Sequence, residues 1–282
     1  MEVFVMIEEY LQAMEKSYTY QEGGITIPAD QLDSIVKIPL GFQPMGISSK
    51  QSAHTTRIAI AAYFESAICL ATVSQDESGL HFKVDWIRGV DHGIQSVRLF
   101  PDLLFYAEAS RCQTVNFGPN NTLWVSRNAD ETFFVLTPPT NPKGRWSLTD
   151  KVILSSSGFV HSALLIADKL VTIESDLSLD KWYHCRYDCE DGALKLQEKK
   201  DCLAWIYGLA VQDFKLCYVS DFRSEGSYGV YSNNRLIFPD VFGNGICFLH
   251  NGSALVTVYG QSCPGPFNGE PGQLIYIPAR FF

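Results

Sequence analysis

Glu108 and Glu174 are the two carboxylates of this sequence placed as an acid/base pair needs: each closes an apolar run, and the repeat set out below aligns them. Two carboxyl groups brought to one partly dry pocket acquire unequal pKa values, so that one can donate a proton while the other accepts it. His161, inside the run that precedes Glu174, and the pair Asp91-His92 ahead of Gly93 add imidazoles that can shuttle protons near neutral pH. Glycine at position 93 would let the backbone approach a ligand closely. Trp205, Tyr207 and Tyr259 offer ring surfaces and hydroxyls, while His54, Arg57, Asp240 and Asn244 offer polar contacts.

These residues are scattered over most of the chain, so only a fold that converges distant segments can join them. "SALLIADKLVTIES", Ser162 to Ser175, has two apolar runs around the polar pair Asp168-Lys169, and four other stretches share its shape. They are Ile60–Ser74, Val97–Ser110, Val211–Asp221 and Cys247–Gly260, each an apolar strand, a tight turn and a second apolar strand. Asn251-Gly252 is the strongest of the turn signals. Further strand candidates follow each pair. The last unit lacks an outer strand, and "DSIVKIPLGF" near the N-terminus rhymes with "LIYIP" near the C-terminus. Pairing the two would close a ring and remove open sheet edges.

The pattern resembles a five-bladed β-propeller, an all-β fold closed by an N-terminal strand. A sixth blade remains open, because the second unit carries an insertion, and a β-sandwich built of hairpins is the competing reading. The resemblance implies that first strands line a central channel and that residues leading into them, with those ending the second strands, share one funnel. All twelve residues named above are assigned to that funnel. Residues 1–20, with Phe4, Ile7, Leu11 and Met14 in helical spacing, read as an amphipathic helix, and 21–282 as a single domain.

The chain has 282 residues and a net charge of -9, without a Lys/Arg cluster, which disfavours nucleic-acid and anionic-membrane partners. Eight cysteines without a Cys-x-x-Cys pair or a signal-like start point to reduced thiols and a cytoplasmic setting. Cys185 and Cys189, about 13 Å apart on a strand, are too distant for one tetrahedral ion, so no metal is assigned. Phosphate-loop, dinucleotide and serine-elbow motifs are missing from the sequence, so no cofactor is assigned. The expectation is an enzyme acting on a small molecule in the channel by acid/base chemistry. The alternative is a non-catalytic binding module for carbohydrate or protein.

Overall fold

The computed structural model describes residues 4–7 and 24–282, apart from 41, 63–65, 90–93, 101–102, 109–111, 118–121, 128–131, 141–146, 155–158, 167, 177–178, 180, 191–192, 203–205, 213–214, 221–227, 242 and 259–271. Three short strands come first: β1 (Phe4–Ile7), β2 (Ile25–Pro28) and β3 (Val36–Pro39). Each later becomes the outermost strand of a different sheet.

Blade I consists of β4 (Pro44–Gln51), β5 (Thr55–Ala62), β6 (Ala67–Asp76) and β7 (Gly79–Gly89), with β2 on its outer edge. Blade II is smaller, a hairpin of β8 (Ile94–Phe100) and β9 (Leu103–Glu108) extended by β1. Blade III holds β10 (Cys112–Phe117), β11 (Leu123–Arg127), β12 (Thr132–Thr137) and β13 (Ser147–Ile153). Blade IV holds β14 (Phe159–Ile166), β15 (Lys169–Asp176), β16 (Lys181–Glu190) and β17 (Ala193–Asp201). Blade V comprises β18 (Ile206–Gln212), β19 (Lys215–Ser220), β20 (Gly229–Ser232) and β21 (Arg235–Pro239). Blade VI comprises β22 (Gly243–Phe248), β23 (Ala254–Val258) and β24 (Gln273–Ile277), completed by β3.

The first strands of the blades pack in cyclic order, β4–β8–β10–β14–β18–β22 and back to β4, which is the closed ring of a β-propeller. Five blades have at least four strands, and the three-stranded blade II stands between I and III. The segment read from sequence as one unit with an insertion is therefore two sheets. Closure occurs where the rhyme placed it: Leu274 pairs with Ile38 and Ile275 with Lys37, antiparallel. The N-terminal helix is not formed over Phe4–Ile7, which is strand β1 paired to β9; the rest of that expected helix lies outside the described residues. Phe4–Ile7 is a continuous apolar run in the sequence, a pattern that suits a short strand better than one helical stripe.

The apolar hairpins follow from radial packing. Ile58 and Ile60 of β5 contribute to the core between blades VI and I, while Ala59 and Ala61 of the same strand face blade II. A strand covered on both sides reads as a continuous apolar run rather than an alternating one. Equivalent cores fill the spaces between III and IV, IV and V, and V and VI. Near the axis the first strands of neighbouring blades are not laddered together, and hydroxyls satisfy part of their backbone. Ser48 Oγ accepts from Leu99 N at 3.1 Å, and Ser49 Oγ donates to the Phe248 carbonyl at 2.9 Å.

Candidate functional site at the channel mouth

Every first strand breaks register with its second strand at the same place. The ladder skips Gln95 between Ile94 and Ser96, Gln113 between Cys112 and Thr114, and His161 between Val160 and Ser162. It likewise skips Tyr207, Asn244 and the two residues Met45-Gly46. A β-bulge takes residues out of the ladder, so one residue in each of five blades, and two in blade I, are set apart at the start of the inner strand. In five blades the residue after the skipped one is small, Ser96, Thr114, Ser162, Gly208 and Gly245, and in blade I the second of the two skipped residues is Gly46. The reason is close approach near the axis. A Cβ on Gly208 would lie 2.7 Å from Gly245 Cα, and one on Gly245 would lie 3.0 Å from Ile47 N.

The inner strands enclose a cavity of about 50 Å³ whose lining includes His161, Tyr207 and Asn244 from the bulges, Ser96 and Ser162 from the small-residue ring, and Arg98. Asn244 is buried and its Nδ2 donates to Met45 Sδ at 3.0 Å. His161 shares a 2.7 Å hydrogen bond between Nε2 and Ser175 Oγ, and its ring lies 4.0 Å from the Trp182 ring, centroid to centroid. Burial lowers its pKa from 6.5 to about 4, so the imidazole is neutral at neutral pH. Ser175 is itself buried and fixes one nitrogen, leaving Nδ1 as the other proton-transfer atom of the ring.

The expected carboxylate pair is not brought together. Glu108 ends β9 opposite Ile94, the residue before the bulge at Gln95, and Glu174 stands opposite Val160, the residue before the bulge at His161, so the two hold equivalent register positions on their blades. The alignment of the two units therefore holds, but their blades are not neighbours: blade III stands between them.

Glu174 is fully buried, on the same side of blade IV as Leu170 and Cys185, among the residues filling the space against blade III. Its Oε1 accepts hydrogen bonds from Thr172 Oγ1 at 2.5 Å and Tyr187 OH at 2.8 Å, while Oε2 has no partner. Desolvation raises its pKa against the lowering effect of those hydrogen bonds.

His54 and Arg57 are also displaced. The run taken as the first strand of blade I is β5, its second; the true inner strand β4 is interrupted by glycine and serines. His54 is therefore exposed in the β4–β5 turn, at the opposite end from the bulges, and Arg57 pairs with Lys50 near that end. Asp240 is exposed just after β21, at a positive φ of 62°, in the connection leading to β22. Asp91, His92, Trp205 and Tyr259 lie outside the described residues, as does most of the glycine- and proline-rich stretch 260–271. Sequence reading did not single out Gln95 and Gln113, which the ladder skips, or Arg98, which lines the cavity; the first two carry the signal shared with His161, a small residue followed by an aliphatic or alanine.

Among the described residues no group of three or more His, Cys, Asp or Glu side chains could hold a metal ion, and no helix is long and apolar enough to cross a membrane. No known protein family is matched by the sequence, and no curated relative is found. Among solved structures the chain is similar to the PQQ-bound aldose sugar dehydrogenase of Streptomyces coelicolor, at 11% identity over 90% of this chain and 98% of that one, TM-score 0.49. It is also similar to a catalytically inactive virginiamycin B lyase from Staphylococcus aureus with quinupristin, at 9% identity over 86% of this chain and 99% of that one, TM-score 0.50. The first likeness is too loose to build on; the second bears on the fold alone and agrees with a propeller.

Proposed function

We propose that the protein takes a small polar molecule into the mouth of its channel and acts on it by acid/base chemistry, without a nucleotide cofactor. The observation that supports this reading is the bulge repeated at one position of every inner strand, which sets apart His161, Tyr207 and Asn244 beside a shared cavity. Bulges recur next to active sites because they free a side chain from the ladder. In this reading His161 is the base: its imidazole is unprotonated at neutral pH and oriented by Ser175 and Trp182. Glu108 is assigned as the acid, with the support that its backbone pairs with Ile94 beside the skipped Gln95. Tyr207 and Asn244 hold the ligand, and Asp91 and His92 are kept as further proton-transfer residues of the proposal.

A second reading, a binding module without turnover, draws support from the lining itself, which contains no carboxylate among the described residues. Thermal-shift screening of aldoses, lactones and hydroxy acids, followed by proton NMR of each stabilising compound during incubation, separates the two. The enzyme reading expects conversion that His161→Gln and Glu108→Gln each reduce by roughly 10²-fold or more, with binding retained. Binding without conversion favours the module. A ligand whose affinity is indifferent to Tyr207→Ala and Asn244→Ala removes the channel mouth from either account.

A further inference from the structure

Trp86 and Arg88 stand on β7, the fourth strand out from the axis in blade I, two residues apart and so on one face. They pair across the ladder with Leu70 and Ile68, whose side chains fill the space between blades I and II together with Ala59, Ala61 and Val97. Trp86 packs onto that cluster, as does Leu99 of blade II. The ladder runs from Gly89 through Ala67 and Ala62 to Pro44, the residue before the bulge of blade I. This end of β7 therefore belongs to the rim on which the bulges lie.

Two nitrogens in this seam, Trp86 Nε1 and Arg88 Nη1, are buried and make no hydrogen bond. Buried donors are almost always paired, and each exception calls for a partner such as a water or an ion. The guanidinium carbon lies 5.0 Å from the centre of the Trp86 ring, which holds the cation in the seam without accepting a conventional hydrogen bond. Among the described residues no ion pair joins Arg88 to a carboxylate. Asp85, on the same strand, is exposed and accepts from Thr72 Oγ1 at 2.8 Å. Trp86 and Arg88 are themselves half-buried, so solvent reaches part of each while these two nitrogens are shielded.

A guanidinium is charged at neutral pH, and a charged group without a counterion beside apolar walls is costly. One cation balances one negative charge, and the second charge of a sulfate or phosphate dianion would stay unbalanced in these surroundings. The two donors come from separate side chains whose Cα atoms are about 7 Å apart along the strand, which favours a group with two acceptor oxygens over a single-atom ion such as chloride. A carboxylate meets both demands. We propose that the seam between blades I and II is a carboxylate-binding site, in which Trp86 Nε1 and Arg88 Nη1 each donate to an oxygen of a small monocarboxylate. Rotation of the long Arg88 side chain at the rim admits the ligand. The site is separate from the channel cavity, whose lining contains neither residue, and it does not rest on the reading of the channel.

The test follows the indole N–H resonances of the intact, nitrogen-15-labelled chain during titration with sodium acetate, against acetamide and sodium chloride at matched ionic strength. The chain has five tryptophans, and the Trp86 signal is the one missing from Trp86→Phe, which keeps an aromatic ring and drops the donor. Acetate is expected to move this signal downfield along a saturable curve, because the indole hydrogen gains an acceptor. It should also raise the unfolding midpoint by about 3 °C at ten times its dissociation constant. Acetamide, which carries no charge, should need about tenfold higher concentration, and chloride should not saturate the signal.

Arg88→Met is expected to abolish the saturable response to acetate. Arg88→Lys, which keeps the charge and loses the planar edge, should weaken acetate binding about tenfold, and it carries the test if the methionine variant does not fold. Trp86→Phe should weaken it about fivefold by thermal shift, the share of one hydrogen bond. A Trp86 signal that ignores acetate overturns the inference, as does an equal response to acetamide or chloride, or acetate binding unchanged in the folded Arg88 variants. A response confined to the other indole signals also overturns it, because the carboxylate then binds elsewhere.

Discussion

At the scale of single residues, two buried titratable groups give opposite pH signatures. His161 has its folded pKa lowered from 6.5 to about 4, so between those values the unfolded chain binds more protons, and stability must fall as pH drops through that window. His161→Gln should flatten this limb, measured by urea unfolding from pH 4 to 7. Glu174 is shifted the other way. Its folded pKa lies above the ordinary 4.5, so its protonated form is favoured in the fold, and stability is lost as pH rises through the folded value. Glu174→Gln keeps an acceptor for Thr172 and Tyr187 without the charge. It should stabilise the protein by about 1–3 kcal/mol above that pKa and change little in acid. A Gln variant that is less stable at pH 8 than wild type would show that the buried carboxylate is better compensated than its lone Oε2 implies. Part of this was legible from sequence: His161, Tyr207 and Asn244 were singled out, and all three occupy bulges. Glu174 holds the register position that its alignment with Glu108 gives it, but its side chain enters the space against blade III, because the hydrophobic pattern aligns the repeats without revealing which face of a blade meets the channel.

At the scale of elements, the inner strands are the least strand-like stretches of their blades and for that reason the hardest to see. β4 reads Pro-Met-Gly-Ile-Ser-Ser-Lys-Gln, with glycine and serines where its neighbour β5 has an unbroken apolar run. Proximity to the axis demands small side chains, and small side chains weaken the apolar signal on which strand recognition depends. The same constraint predicts the cost of enlarging them. Gly208→Ala should destabilise the protein by about 1–3 kcal/mol in denaturant titration, because the new methyl meets the backbone of Gly245 rather than a flexible side chain. Wild-type stability in this variant would mean that the inner strands of blades V and VI lie farther apart than the ring requires. The outer hairpins were easier to read. The turn at Asn251-Gly252 forms as its sequence suggests, with Gly252 at a φ of 80° and Asn251 Oδ1 accepting from Ser253 N.

At the scale of the whole molecule, closure joins the two ends of the chain. Ile38 of β3 is buried against the core shared by blades VI and I, and Ile38→Ala should cost roughly 2–5 kcal/mol, while the exposed Lys37→Ala should cost about 0.5 kcal/mol or less. The repeated sequence "IVKIP" against "LIYIP" announced this pairing, since both strands must present apolar side chains in the same alternation. The blade II boundary was not announced. Bulge positions recur at intervals near 40 to 50 residues except between Gln95 and Gln113, where a two-stranded hairpin borrows its third strand from the N-terminus. The account depends most on that recurrent break in register, and a crystal structure of the protein tests it directly. It should show His161, Tyr207 and Asn244 skipped by the ladder and facing one channel. Unbroken pairing from Phe159 to Ile166, or these three side chains on separate outer faces, would contradict it.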